Sequence, residues 1–264
     1  MTVGALFFAY NTDDTDYLRL AEYSALQAKR WLGIPSSVIT DSDVKSSVFD
    51  KTIHLQNEKS GNRYFEDRGF VTKWRNFGRS CAYDLSPYDK TLLLDVDYII
   101  QSNRLRTVLD SSQDFLCYDS AIDVTGIKPN NETFGKYNMP MLWATVLVFG
   151  KNKRSEMIFE IMKMVEDNYG HYANLYGFSD SPFRNDYALS IAVSIVSGHI
   201  IGKDTAIPWP MINVYPEHSV KKSSNGNLEV QYQNGKRGQR NTLDDQDVHI
   251  MGKRHLEELI ESEG

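Results

Sequence analysis

The chain has 264 residues, 41% hydrophobic and 24% charged, a makeup that fits a globular protein and excludes large-scale disorder. Its formal net charge of −6 excludes a general electrostatic attraction to nucleic acid or acidic membrane, while leaving room for a local basic groove. No apolar run reaches the roughly 20 residues needed to span a bilayer. Cys81 and Cys117 lie among apolar and aromatic neighbours without metal-type spacing, so they read as reduced packing residues. The apolar opening, residues 1–9, lacks a basic leader and reads as a strand and not as a signal peptide. Together these features lead to the expectation of a cytoplasmic protein.

Residues 5–9 form a continuous apolar run, the pattern of a strand covered on both faces. The acidic turn over residues 11–16 then starts a helix in which Tyr17, Leu20, Ala21, Ser24, Ala28 and Trp31 recur at helical spacing, stopped by Gly33 and Pro35. Residues 38–40 and 52–55 read as short strands, and residues 57–68 as a polar, mobile loop. A helix is expected next, with Val71, Trp74, Phe77, Cys81 and Ala82 on one stripe and Lys73, Asn76 and Arg79 off it. Strand follows over residues 91–97. Residues 141–149 read as a buried strand, 155–169 as an amphipathic helix and 185–196 as a buried helix. Residues 202–240 are turn-rich and hairpin-like, with Ser223-Ser224-Asn225-Gly226-Asn227 and Gln233-Asn234-Gly235 as turns. Strand alternating with helix predicts an α/β fold: a mixed, mainly parallel sheet flanked by helices in one compact unit.

The most informative segment is Leu92-Leu93-Leu94-Asp95-Val96-Asp97. On a strand, Asp95 and Asp97 point to one side and Val96 to the other. The carboxyl end of a parallel strand is where open α/β sheets place ligands. Two close carboxylates repel unless a cation lies between them, and a divalent ion would bridge them to diphosphate oxygens. The competing reading of any acid-x-acid triplet is a solvated turn; here the triple leucine anchors the pair to the core.

Residues 88–100 resemble the metal-binding segment of nucleotide-sugar-dependent glycosyltransferases of the GT-A type, glycogenin-like families in particular. His249-Ile250-Met251-Gly252-Lys253 resembles the His-x-x-Gly segment of those families, with the lysine closer to the glycine than the family places it. The resemblance implies a GT-A type, Rossmann-like fold over residues 1–264, with residues 1–100 as the nucleotide-binding half. Residues 101–264 would be the acceptor-side half carrying the C-terminal metal-ligand segment. It implies Mn²⁺ or Mg²⁺ held by Asp95, Asp97 and His249, with Lys253 on the diphosphate. It further implies Tyr10 and Asn11, with Tyr17, at the nucleotide. Lys73, Asn76 and Arg79 would face the donor, and Asp186 the reacting sugar. Each has a plainer alternative: a turn and helix start for Tyr10-Asn11, a solvated helix face for Lys73 and Arg79, and helix capping for Asn185 or Asp186. Where the family carries an Asn-Ser-Gly run, this chain has Trp143-Ala144-Thr145, so the donor sugar is open.

The expected activity is transfer of a hexosyl or pentosyl group from a nucleoside diphosphate, with UDP favoured, to an acceptor hydroxyl. Asp186 is the base if the reaction inverts and orients the sugar if it retains; the sequence does not choose. The acceptors considered are a cell-surface glycan precursor, a protein, a small molecule, or a hydroxylated DNA base. The last is raised by Lys221, Lys222, Lys236, Arg237 and Arg240 interleaved with Tyr232, a run whose plainer reading is a solvated hairpin. A nucleotidyltransferase is the enzyme alternative, weakened because Tyr10-Asn11-Thr12-Asp13-Asp14 is acidic where a basic glycine loop is expected. A two-metal nuclease would need further carboxylates. The non-enzyme alternative is a sugar-nucleotide-binding module. Oligomeric state is not legible.

Overall fold

The computed structural model describes residues 1–56, 59–65, 70–129, 132–200, 202, 205–234 and 237–263, with the backbone alone described at 62–65, 70, 72, 233, 234 and 237. The chain opens with β1 (Val3–Phe8), α1 (Tyr17–Leu32), β2 (Ser36–Thr40) and β3 (Lys51–His54). Asp16 caps α1 by accepting from the Arg19 N–H at 3.1 Å, and Gly33, at φ 64°, closes it in the left-handed conformation that glycine tolerates. A hairpin of β4 (Gly61–Phe65) and β5 (Phe70–Trp74) precedes a 3₁₀ turn (Arg79–Cys81) and the short α2 (Ala82–Leu85).

Then come β6 (Lys90–Leu94), β7 (Tyr98–Ile99), α3 (Arg104–Leu109), β8 (Phe115–Tyr118), β9 (Ala121–Asp123), β10 (Thr133–Phe134), β11 (Met139–Pro140) and β12 (Trp143–Gly150). Three helices follow, α4 (Lys153–Asp167), α5 (Tyr169–Tyr176) and α6 (Asn185–Val196). The chain continues through β13 (Met211–Val214), β14 (Ser219–Lys222), β15 (Leu228–Asn234), β16 (Arg237–Leu243) and β17 (Val248–Ile250) to α7 (Lys253–Glu261).

The central sheet has the order β3-β2-β1-β6-β12-β8. Its β3/β2, β2/β1 and β1/β6 pairs are parallel, and β12 runs against both neighbours. It is therefore the mixed, mainly parallel sheet expected from the alternating pattern. Its middle is apolar on both faces: Ala5, Leu6, Phe7, Leu92, Leu93, Leu94, Val146, Leu147 and Val148 are wholly buried. Helices flank it, α1 against β1 and β2, α6 against β12, and α4 against α6. One continuous apolar core joins these elements to the second half of the chain.

The topology reverses between β1 and β6: from β1 the chain moves outward to β2 and β3, then returns on the other side to β6. Such a switch point leaves a crevice at the carboxyl ends of the strands. A second sheet, β7-β17-β13-β9, closes over that end, with β7 pairing antiparallel to β17 and β17 parallel to β13.

Three expectations need correction. The helix expected across residues 71–82 is a strand, a bend and a 3₁₀ turn. Val71 lies 60% exposed, while Trp74 and Phe77 meet edge to face at 4.6 Å and Phe77 stacks on Phe183 at 5.3 Å. Aromatic packing across a bend produced the three-residue spacing that imitates a helix. The loop expected at 57–68 contains β4, while 57, 58 and 66–68 lie outside the described residues. Asp95 and Asp97 do not alternate on a strand either. β6 ends at Leu94, and Asp95-Val96-Asp97 forms a turn closed by the Tyr98 N–H donating to the Asp95 carbonyl at 3.1 Å.

Candidate active site

The turn after β6 is held from several sides. The Asp95 N–H donates to the Thr145 carbonyl at 2.8 Å, extending the ladder to β12, and Ser24 Oγ donates to the Val96 carbonyl at 2.6 Å. The Ile250 N–H donates to the Asp97 carbonyl at 2.9 Å. β7 is only two residues long, yet it sets His249 opposite Tyr98, immediately beside Asp97. This pairing brings the far end of the chain to the acidic turn.

Asp95, Asp97 and His249 each offer a ligand atom, and these atoms lie within 4.8 Å of one another. His249 Nε2 is 3.5 Å from Asp97 Oδ2. On the other side of the ring, Nδ1 is 3.0 Å from Asn213 Oδ1, where β13 and β17 place the two residues in register. With Nδ1 donating to that amide oxygen, the Nε2 lone pair faces the carboxylates, the tautomer a metal ligand requires. Two carboxylate oxygens and one imidazole nitrogen make a donor set of the kind that holds a divalent cation.

Each carboxylate already has a cation. Arg79, 1% exposed, donates from Nη1 to Asp95 Oδ1 at 2.6 Å and from Nη2 to the Ala144 carbonyl at 2.7 Å. Lys253 Nζ, at the start of α7, pairs with Asp97 Oδ2. Burial pushes the Asp95 carboxyl above the usual range, opposed by Arg79 and reinforced by Asp97. Burial acts the same way on Asp97, but the Lys253 ammonium and His249 outweigh it and hold that carboxyl low. The two acids thus differ in environment although they share one turn.

Around this centre lies a cavity of about 370 Å³, within the range of small-ligand sites. Three acids, Asp95, Asp97 and Asp186, face four cations, Arg75, Arg79, Arg184 and Lys253, across its walls. An anionic ligand therefore enters against no net repulsion. Tyr10, Tyr17, Asn76 and the Trp143-Ala144-Thr145 run also line it. The Tyr10 hydroxyl is buried without a partner among the described residues, and its ring carries the Arg75 guanidinium at 5.6 Å. Arg75 also donates to the Asn11 carbonyl at 3.1 Å and pairs with Asp41.

The remaining expected residues separate. Asp186 lies in the cavity, Oδ1 accepting from the Ala144 N–H at 2.8 Å and Oδ2 from Arg184 Nη2 at 2.7 Å. Neither it nor Asn185 caps α6; Asn185 instead donates to the Asn76 carbonyl at 2.8 Å. Asn11 does not line the cavity, because its side chain accepts from the Leu18 N–H at 2.9 Å at the head of α1. Lys73 is exposed on β5 and away from the lining, a consequence of strand replacing helix there. Arg75 and Arg184 were missed. Arg75 sits between two basic-face candidates, and Arg184 directly precedes Asn185-Asp186, so both lay beside positions already singled out.

Of the basic run on the outer hairpins, Lys221 and Arg240 both turn to Glu229, at 3.3 and 3.6 Å, and Lys222 pairs with Glu263 at 2.5 Å. Lys236 lies outside the described residues. Both cysteines are free, and no helix among the described residues is long and apolar enough to cross a membrane.

No family model matches the chain, and no curated protein does. Among solved structures it is similar to the galactosyltransferase LgtC in complex with donor and acceptor sugar analogs, at 14% identity and TM-score 0.46, over 72% of this chain and 70% of that one. An active-site mutant of LgtC gives 14% identity and TM-score 0.47 over 72% and 69%. The glycosyltransferase GlyE of Streptococcus pneumoniae TIGR4 gives 14% identity and TM-score 0.44, covering 72% of this chain but 43% of the other. The chain thus spans less than half the length of GlyE.

Proposed function

We propose that the chain is a metal-dependent glycosyltransferase that moves a sugar from a nucleoside diphosphate, UDP for preference, to an acceptor hydroxyl. The observation that carries this reading is the meeting of Asp95, Asp97 and His249 at the sheet's switch point, inside a cavity whose walls carry four cations beside three acids. The resemblance of residues 88–100 and 249–253 to glycogenin-like enzymes supports it and supplies the donor class.

Held by Asp95, Asp97 and His249, manganese or magnesium would supply positive charge beside the departing diphosphate. Arg79 fixes Asp95 and Asn213 orients the His249 ring, so two of the three ligands are held in place before the donor arrives. Lys253, with Arg75 from the bend after β5, supplies charge-assisted hydrogen bonds where negative charge grows. Tyr10 and Tyr17 line the cavity, which supports residues 1–100 as the nucleotide half, with residues 101–264 as the acceptor half that brings His249 and Lys253 to the metal and diphosphate. Both oxygens of Asp186 accept hydrogen bonds, which suits a residue that orients the sugar better than one that removes a proton. Trp143 and Thr145 shape the sugar pocket in place of smaller residues.

A glycan precursor, protein or small molecule is favoured as acceptor over DNA, because Lys221 and Arg240 turn to Glu229 and Lys222 to Glu263, which fits the solvated-hairpin reading of the basic run. The test is incubation with a panel of UDP-sugars and, separately, of nucleoside triphosphates in Mn²⁺. Release of UDP is the expected result. Release of pyrophosphate would make the chain a nucleotidyltransferase, and turnover of neither, with binding retained, would make it a sugar-nucleotide-binding module.

A further inference from the structure

Lys253 occupies a telling position. It stands at the first residue of α7, behind Gly252, with its side chain 11% exposed and its ammonium on Asp97 Oδ2. That oxygen is also the one facing His249 Nε2. A carboxylate oxygen that carries an ammonium and a divalent ion together would bring two cations into contact, and they repel strongly in a buried setting. Arg79 is anchored differently: besides Asp95 it donates to the Ala144 carbonyl and, at 3.4 Å, towards that of Thr145. The guanidinium is a fixture, whereas the lysine is a point charge on a flexible stem that can leave.

We propose that Lys253 is an internal counter-cation that exchanges with the metal. It holds Asp97 in the resting protein, yields that oxygen when the ion binds, and is released to take a phosphate oxygen of the donor. The inference rests on the metal-site reading and adds an order to it: the bare ion must displace an ammonium that has no new partner, so it binds poorly. The ion arriving with a diphosphate gives Lys253 somewhere to go. Binding of metal and nucleotide is therefore coupled through one side chain, and removing that side chain removes the coupling.

Two measurements test this. Calorimetric titration with Mn²⁺ in the absence of nucleotide should show Lys253→Gln binding the ion at least tenfold tighter than the unaltered chain. In that variant UDP should enhance Mn²⁺ binding less than it does in the unaltered chain. On the unaltered chain, reductive methylation of Lys253 followed by mass spectrometry should rise at least fivefold at Mn²⁺ concentrations that saturate the site without nucleotide, and fall again on adding UDP. If Mn²⁺ binds with UDP, but Lys253→Gln gains no affinity and Lys253 methylation does not respond to Mn²⁺, the exchange is overturned and the metal site stands. Absence of Mn²⁺ binding to both proteins, with and without UDP, overturns the exchange and the metal site together.

Discussion

Replacing Arg79 with Met tests whether the buried guanidinium is what holds the acidic turn in place. The substitution keeps most of the volume and removes two strong hydrogen bonds, to Asp95 Oδ1 and to the Ala144 carbonyl. Taking one partner from a fully buried pair costs about 3–5 kcal/mol. Asp95 is not fully buried, its side chain being 24% exposed to the cavity, so water recovers part of that and about 3 kcal/mol is expected. For a chain of this length that loss lowers the thermal midpoint by about 5 °C. The Asp95 carboxyl, already pushed up by burial, rises further without Arg79, so the loss is largest where the acid must stay ionised. Replacing Asp95 with Asn in the same background removes the stranded charge, and the double variant should recover about 1 kcal/mol or more of the deficit. Mn²⁺ should also raise the midpoint of Arg79→Met more than that of the unaltered chain, by supplying the missing charge. Thermal unfolding in chelator and in Mn²⁺ reads all three. An Arg79→Met midpoint unchanged in chelator, or a double variant that loses more than either single one, would refute the pairing argument.

Other outcomes follow from the same geometry. Asp247 accepts from the Gln101 N–H at 2.8 Å and Ser102 Oγ at 2.9 Å, but its other oxygen is buried without a partner among the described residues, and burial raises its carboxyl to about 6. The fold then holds a proton that the unfolded chain releases near pH 4, so stability is full below that and falls by about 3 kcal/mol as pH rises to about 6. Denaturant titrations of Asp247→Asn should show this slope gone; an unchanged pH profile would contradict the assignment. Gly4→Ala should destabilise by about 2–3 kcal/mol, because a Cβ there would lie 2.2 Å from Tyr88 Cζ in a buried ring contact; a neutral effect in chemical denaturation would mean that the ring has room to move. Arg75→Ala should weaken UDP binding at least tenfold in calorimetry while Lys73→Ala leaves it unchanged, since only Arg75 reaches the cavity. The reverse ranking would restore the helical register that the structure replaces.

How much of this was legible in the chain depends on the range of the signal. β1, α1 and α6 could be read because their patterns are local: an apolar run, a capped amphipathic stripe, and a buried helix that starts at Asn185 as expected. The acidic pair is legible in the sequence through one sound argument and one that the structure corrects. The triple leucine does anchor it, but the two carboxylates converge through a turn and not through strand alternation. His249 beside Asp97 depends on the two-residue β7, and no local pattern announces a strand so short. The Trp74–Phe77 spacing misled because packing across a bend and packing along a helix can share a three-residue period. Arg75 and Arg184 were passed over because a cation's role is set by what it faces, and their partners Asp41, Asn11 and Asp186 are fixed only by the fold. Lys253 lies on Asp97, a pairing across 156 positions that no reading of neighbours supplies.

The central claim is that one ion is held jointly by the turn after β6 and the imidazole of β17. Crystals grown with Mn²⁺ and UDP, with data collected at the manganese absorption edge, test it most directly. A single anomalous peak within bonding distance of Asp95, Asp97 and His249 Nε2, in contact with the diphosphate, is the predicted result. A bound UDP with no peak there, or a peak that leaves His249 out of its coordination, would contradict it.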